Sequence, residues 1–238
     1  MIEGEQLRER LGRFLELLDP VDRAALTVVG GTAPALYDLA PMVAVRPTTD
    51  IDVVIEAATH LEWRRFVDRL EARRFRHHAG DGEPLCRFRR GDLVVDVMPT
   101  DERAIGFGSR WYADAVAHRI PAAGGIDVHV ISPVFFLATK LEAWPAKQRS
   151  GGDPMISHDV EDVVAVLRGV AGLLEEIRTG TEAVHGEVRV ALRSLFDGDP
   201  GRELLAAHLE GDTATQATVP VLLRRIQDAV APGMGPRR

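Results

Sequence analysis

The fold of this chain is decided by the stretch Asp50-Ile51-Asp52-Val53-Val54-Ile55, in which two carboxylates stand two residues apart at the head of an apolar run. Because side chains alternate between the two faces of a strand, Asp50 and Asp52 point to the same face. The apolar run after Asp52 is typical of a strand buried on both faces. We therefore predict a central strand over 50–56 that carries a pair of acids on one face.

A third acid stands in a similar setting further along the chain. Asp96 interrupts the apolar run Leu93–Met98, and lone acids in such runs are functional or paired more often than idle. On a neighbouring strand, Asp96 would lie beside Asp50 and Asp52. Three clustered carboxylates repel one another unless a hard divalent cation neutralises them, so these three residues are the predicted metal ligands. In the alternative interpretation, Asp50 caps a turn and Asp52 is solvated.

A glycine pair precedes these acids. Gly30-Gly31-Thr32 follows a predicted strand over 25–29 and opens a predicted helix that runs to about Leu39, with Pro34 in its first turn. Bare backbone N–H groups at the positive end of a helix suit phosphate, so we expect Gly30, Gly31 and Thr32 to hold the β- and γ-phosphates of a nucleotide. A glycine pair alone most often makes a plain turn; the strand before it and the acids after it favour the phosphate role.

Composition limits the function classes. The chain has 238 residues, a net charge of −7 and 5% aromatic residues, which excludes a general nucleic-acid coat and extensive base-stacking platforms. The single cysteine, Cys86, excludes a disulfide framework and a cysteine-rich zinc site, and it fits a reducing cytosol. No apolar run approaches the ~20 residues of a membrane span. We expect a cytoplasmic protein with no membrane partner.

The remaining pattern predicts an α+β protein in two parts. The other predicted elements are a helix over 1–18, a charged helix over 60–73, a hairpin of strands 85–90 and 92–98, a strand over 126–131, and helices from Ser132-Pro133 to Val230. We expect an N-terminal mixed sheet flanked by helices (1–131), a helical domain that contributes to the active-site cleft (132–230) and a flexible tail (231–238). Pro145 is expected to end the first helix of the helical domain early.

Two blocks of the chain resemble known families. The segments Val28–Thr32 and Arg46–Asp52, followed by Asp96, resemble the nucleotidyltransferase (DNA polymerase β-like) superfamily. The segments Ser132–Trp144 and Ser157–Val163 resemble the AbiEii-type nucleotidyltransferase toxins, including the mycobacterial group that adds nucleotides to tRNA acceptor ends. Together these similarities span about residues 26 to 168.

The resemblance implies a nucleotidyltransferase fold and a specific activity. It implies transfer of an NMP from an NTP to an acceptor hydroxyl, most simply the tRNA 3′ end, by the toxin of a toxin–antitoxin system with a cognate antitoxin protein. Lys140 would bind the nucleotide phosphates, Asp159 would be a second polar residue facing the cleft, and Thr48 would line the site. In this chemistry two Mg²⁺ ions bridge the carboxylates and the triphosphate, and Asp96 can also act as general base.

Simpler interpretations of the second block stay open. Lys140 is a solvated helix residue in one of them, although it stands in an apolar stretch. Ser157 or Asp159 is only the N-cap of the following helix in another.

The acceptor is the open question. A basic stretch suits phosphate tracking by an RNA, with Arg73, Arg74, Arg87 and Arg89 as the candidate contacts. Its members are Arg64, Arg65, Arg69, Arg73, Arg74, Arg76, His77, His78, Arg87, Arg89 and Arg90. The alternative is a solvated helix face compensated by Glu62, Asp68 and Glu71. Two alternative functions also remain: a small-molecule, antibiotic-type nucleotidyltransferase, and a non-catalytic nucleotidyltransferase-like binding protein or antitoxin.

Overall fold

Seven strands form one mixed sheet in the first half of the chain, in the order β3-β4-β5-β2-β1-β7-β6. A computed structural model describes residues 2–77, 84–149, 151–209 and 211–231. The strands are β1 (Leu26–Val28), β2 (Asp50–Ile55), β3 (Arg76–His77), β4 (Arg87–Arg90), β5 (Leu93–Pro99), β6 (Ile120–Pro121) and β7 (His129–Val130). The central strand β2 runs parallel to β5 and antiparallel to β1, whereas β4 and β5 form an antiparallel hairpin.

Helices cover this sheet and continue through the second half of the chain, so the predicted α+β class is confirmed. Those before Ser132 are α1 (Ile2–Glu16), α2 (Pro20–Ala24), α3 (His60–Ala72) and α4 (Tyr112–Ala117). Those after it are α5 (Pro133–Arg149), α6 (His158–Gly169), α7 (Leu173–Thr179), α8 (Ala183–Leu195), α9 (Gly198–Ala207), α10 (Thr213–Gln216) and α11 (Val219–Val230).

The chain divides into two compact units. The first contains the chain up to Asp38 and Val45–Ser132, and the second contains Leu39–Ala44 and the chain from Pro133 onward. The short segment Leu39–Ala44 joins the second unit because the Ala40 amide donates a hydrogen bond to the Gly169 carbonyl at 2.8 Å. The sequence predicts a division between residues 131 and 132. It does not predict that Leu39–Ala44 belongs to the second unit.

Helix α3 packs on one face of the sheet for reasons visible in its sequence. Thr59 and Glu62 form a capping box that satisfies the first amides of the helix. Trp63 is buried, and its indole N–H donates to the Val97 carbonyl on β5 at 3.0 Å. Its ring lies 6.3 Å from that of Phe88 on β4. Because side chains alternate along β4, Arg87 lies on the opposite face of the sheet from Phe88.

Two predicted helix boundaries are wrong. The segment after the glycine pair is a 3₁₀ helix, Gly30–Leu36, and not a helix that runs to Leu39. Glycine is a poor helix former and Pro34 lacks the N–H that an α-helical bond would need, so the tighter, shorter form is adopted. Helix α5 also runs through Pro145 to Arg149. A proline inside a helix destabilises that helix by about 3 kcal/mol, and burial of apolar side chains in the preceding turns offsets this loss.

Short elements were missed or shortened. The strand predicted over 126–131 is only His129–Val130, and the elements β3, α4 and β6 were not predicted. A strand of two residues shows no alternation that a sequence pattern can reveal. The predicted tail beyond Ala231 and His78 of the basic stretch lie outside the described residues. Among the helices that the structure describes, none is both long and apolar enough to cross a membrane.

Candidate active site

The parallel pairing of β2 with β5 brings the acids of the two strands side by side. Asp52 stands directly opposite Asp96, and Asp50 stands opposite Val94. The predicted proximity of Asp96 to the pair on β2 is therefore confirmed. We call Asp50, Asp52 and Asp96 the acidic cluster. Only 12% of the Asp96 side chain is exposed, so its carboxylate needs a partner within the protein.

Arg87 is that partner. It stands opposite Asp96 in the β4–β5 hairpin, and its Nε and Nη2 donate to the two oxygens of Asp96 at 2.8 and 2.7 Å. The same Nη2 donates to Oδ2 of Asp50 at 2.7 Å. The paired contact with Asp96 is the fork geometry in which arginine binds a carboxylate most strongly. One guanidinium thus joins two members of the acidic cluster.

The third member, Asp52, faces the glycine pair. Its Oδ2 accepts the Gly31 N–H at 3.0 Å. Gly30 has a backbone φ of +55°, and a Cβ added there would stand 2.3 Å from Asp52 Oδ2. Any larger residue at position 30 would therefore displace the Asp52 carboxylate. The glycine pair has a structural purpose, which is to let the backbone approach this acid.

Two threonines complete this part of the site. The buried Thr32 hydroxyl donates to the Asp50 carbonyl at 2.9 Å and accepts the Asp52 N–H at 3.2 Å, which ties the 3₁₀ helix to the start of β2. The hydroxyl of Thr48 lies 3.6 Å from the position that a Cβ on Gly31 would take. The first unit thus brings Thr48 and the glycine pair together with the acidic cluster.

The residue types and register of the acidic cluster suit a hard divalent cation, which prefers carboxylate oxygens. As the side chains stand, however, their oxygens are engaged by Arg87 and by the Gly31 amide. Across the described ranges, no group of three or more His, Cys, Asp or Glu side chains is placed to hold a metal ion. The residue types suit a cation but their present placement does not, and Arg87 would have to turn away from Asp50 and Asp96 to admit one.

Lys140 and Asp159 belong to the second unit and lie together there. Lys140 Nζ donates to Asp159 Oδ1 at 2.8 Å and to Asp162 Oδ2 at 2.9 Å. Burial disfavours the charged amine, but the charges of Asp162 and Asp159 outweigh that effect and raise the pKa of Lys140 above its usual value. Lys140 is thus a buried ammonium held between α5 and α6, and not a solvated helix residue.

The N-cap of α6 is Ser157 and not Asp159. The Ser157 hydroxyl accepts the Val160 N–H. Asp159 lies in the first turn of that helix and binds Lys140 instead.

The four arginines predicted to contact RNA differ in their positions and partners in the structure. Arg87 is directed to the acidic cluster, and Arg89 stands opposite Val94 on the same hairpin. Arg73 binds Asp19 and Asp22, which supports the compensated-face alternative for that residue. Arg74 is exposed. Contact with RNA stays a prediction for all four.

Sequence reasoning missed two features of these sites. Asp162 was not singled out, although an acid one helical turn after Asp159 among buried valines is a signal for a buried pair. The bridge from Arg87 to Asp50 was also missed. The turn Gly91-Asp92 has only two residues, so it fixes the register that places Arg87 opposite Asp96.

No protein-family model matches this chain, and a comparison with curated proteins gives no match either. The functional argument therefore rests on the sites themselves.

Proposed function

We propose that this chain is a Mg²⁺-dependent nucleotidyltransferase that moves an NMP from an NTP to an acceptor hydroxyl and releases pyrophosphate. The observation that carries the proposal is the register of β2 and β5, which sets Asp52 opposite Asp96 with Asp50 two residues away on the same face. A glycine pair follows β1, and its Gly31 amide already binds a carboxylate oxygen. Carboxylates for a metal beside amides for an anion are the two elements that this chemistry needs.

The acidic cluster has two tasks in the proposed reaction. Asp50, Asp52 and Asp96 would hold two Mg²⁺ ions, which supply charge neutralisation for the phosphates and a lowered pKa for the acceptor hydroxyl. Asp96 would accept the proton of that hydroxyl as its oxygen attacks the α-phosphorus. The bond from the α-phosphorus to the bridging oxygen breaks, and the electron pair leaves with pyrophosphate.

Backbone and basic groups would bind the nucleotide. The amides of Gly30, Gly31 and Thr32 would donate to the β- and γ-phosphates, with Thr48 beside them. The resemblance also gives Lys140 a role on the nucleotide phosphates, and Asp159 would orient its ammonium through their 2.8 Å hydrogen bond within the second unit.

The acceptor that we propose is the 3′ end of tRNA, with the chain acting as the toxin of a toxin–antitoxin system. The support is the resemblance of Ser132–Trp144 and Ser157–Val163 to the AbiEii-type toxins, together with the exposed Arg74. A small-molecule acceptor would use the same acids and is distinguished only by experiment.

A labelling assay tests the proposal. The purified protein is incubated with Mg²⁺ and each of the four α-³²P-labelled NTPs in turn, with and without total tRNA. Label on tRNA is expected with the wild type, and Asp50→Ala should reduce it below detection because a metal ligand is lost. The matched control is Asp68→Ala, since Asp68 is an exposed acid paired only with Arg64 in the described contacts. Lys140→Ala should raise the NTP concentration needed.

The outcomes separate the alternatives. Label that persists in Asp50→Ala would contradict the metal assignment. NTP binding without label on RNA would direct the search to small-molecule or protein acceptors.

A second function is favoured by one observation. Arg87 already compensates part of the charge of Asp50 and Asp96, so the acids can persist in a protein that binds a ligand and catalyses nothing. This non-catalytic binding protein would bind NTP in equilibrium dialysis and would transfer no label to any acceptor.

A further inference from the structure

Arg87 makes three hydrogen bonds to the acidic cluster, all between 2.7 and 2.8 Å. They engage both oxygens of Asp96 and one oxygen of Asp50. These are the oxygens that a divalent cation between β2 and β5 would need, and a cation placed there would also stand beside the guanidinium charge. Arg87 and a bound cation therefore compete for the same two carboxylates.

We propose that Arg87 is a resident counter-ion of the acidic cluster, displaced when a divalent cation binds to Asp50 and Asp96. This inference rests on the proposed metal-dependent function and adds a residue that regulates the affinity of its site. Arg87 places one positive charge between the carboxylates of Asp50 and Asp96. The protein thereby reduces the repulsion among its acids before a cation arrives, at the expense of cation affinity.

The position of Arg87 allows this exchange. The backbone of β4 is fixed by its pairing with β5, so only the side chain needs to move. That side chain is 23% exposed, and a long arginine side chain reaches solvent or another anion by rotation about its own bonds. Its planar fork matches phosphate as well as carboxylate, so a nucleotide phosphate is a suitable new partner for the displaced group.

A binding measurement on the full chain tests the inference without reference to activity. Mn²⁺ serves as the probe, because it prefers the same oxygen ligands as Mg²⁺ and its free form is measured by electron paramagnetic resonance. Arg87→Gln should bind Mn²⁺ at least about tenfold more tightly than the wild type, since the cation no longer displaces a charge-assisted partner. A purely structural role for Arg87 would weaken binding and not strengthen it.

The control is Arg90→Gln, which makes the same charge change on the same strand. Arg90 lies over the ring of Phe75, on the other face of β4 from Arg87, and its replacement should leave Mn²⁺ affinity unchanged. Asp96→Asn added to Arg87→Gln should abolish the gained affinity, which places the ion at the cluster. If Arg87→Gln does not fold, Arg87→Lys replaces it, because lysine keeps the charge without the fork and should give a smaller gain.

Each result has one meaning. Suppose that the wild type binds Mn²⁺ and that Arg87→Gln binds it equally well or more weakly. That result would overturn the counter-ion role and leave the proposed function standing. If only Arg87→Lys folds, the same comparison is made with Arg87→Lys. Failure of the wild type and the variants to bind Mn²⁺ would remove the metal site, and the proposed function with it. Binding by Arg87→Gln alone would support the counter-ion role in its strongest form.

Discussion

Gly30 combines a left-handed backbone, with φ of +55°, and a carboxylate oxygen 2.3 Å from the place of its missing Cβ. Alanine at this position would meet both a conformational cost and a clash with Asp52. We expect Gly30→Ala to lower the free energy of unfolding by about 3 kcal/mol, measured by urea denaturation with circular dichroism.

Gly91 supplies a matched control for that measurement. Its φ is +60°, and a Cβ there would meet nothing within 4 Å. Gly91→Ala should lower the free energy of unfolding by only about 1 kcal/mol, which is the conformational cost of a left-handed backbone at a residue with a Cβ. Equal losses in the two variants would show that contact with Asp52 contributes nothing to the requirement for glycine at position 30.

The acidic cluster shows how far single residues can be predicted from sequence. The alternation of side chains was enough to place Asp50 and Asp52 on one face, and the apolar run around Asp96 was enough to predict its neighbouring strand. Hydrogen-bond partners were not predictable in the same way. They depend on strand register and side-chain rotamers, which is why the hydrogen bonds of Arg87 to two carboxylates were not predicted.

At the scale of elements, α5 and α6 are joined by the Lys140 ion pairs. Asp162 has 1% of its side chain exposed and Asp159 has 14%, so the pair with Asp162 is the better shielded from water. We expect Asp162→Asn to lower the free energy of unfolding by about 3 kcal/mol and Asp159→Asn by about 1 kcal/mol, in urea melts at pH 7. Equal effects would argue against this difference in shielding.

The ion pairs of Lys140 between α5 and α6 make the stability of the protein depend on pH. Burial lowers the pKa of Lys140, but Asp162 and Asp159 raise it further, so the folded-state pKa lies above the ordinary value of 10.5. Stability from this charge is complete below pH 10.5 and is lost as pH rises through the raised pKa. On the alkaline side of about pH 8, where the carboxylates of Asp159 and Asp162 are ionised, the difference in Tm between the wild type and Lys140→Met should therefore shrink only above pH 10.5. A difference that already shrinks between about pH 8 and pH 9 would contradict the raised pKa of Lys140.

Elements were predictable where local signals and tertiary packing agree. Helix α3 begins at a capping box and presents Trp63 and Phe66 to the core, and its predicted bounds are nearly those observed. Helix α5 shows the opposite case, because Pro145 is a local stop signal that burial of the rest of the helix overrides. Prediction failed wherever a short element owes its existence to a neighbour, as β3 does to β4.

At the scale of the whole molecule, the charge distribution limits how an RNA acceptor would bind. The net charge is −7, and several arginines of α3 are already occupied by acids of the same unit. Arg64 binds Asp68 and Glu71, whereas Arg69 binds Asp22. An ion-paired arginine neutralises little phosphate charge, so few counterions would be released from the RNA.

We therefore expect tRNA affinity to depend weakly on salt, with a slope of log K against log[KCl] of about −2 to −3. Fluorescence anisotropy with labelled tRNA between about 50 and 200 mM KCl measures this slope over a range where it is informative. Arg74→Ala should make the slope shallower by about 1, because this exposed arginine would lose one phosphate contact. Arg103→Ala is the control, since Arg103 is bound to Asp101 and its loss should leave the slope unchanged. A wild-type slope near −8 would mean that the ion pairs of α3 open on binding, and that the RNA surface includes the arginines that the structure shows occupied.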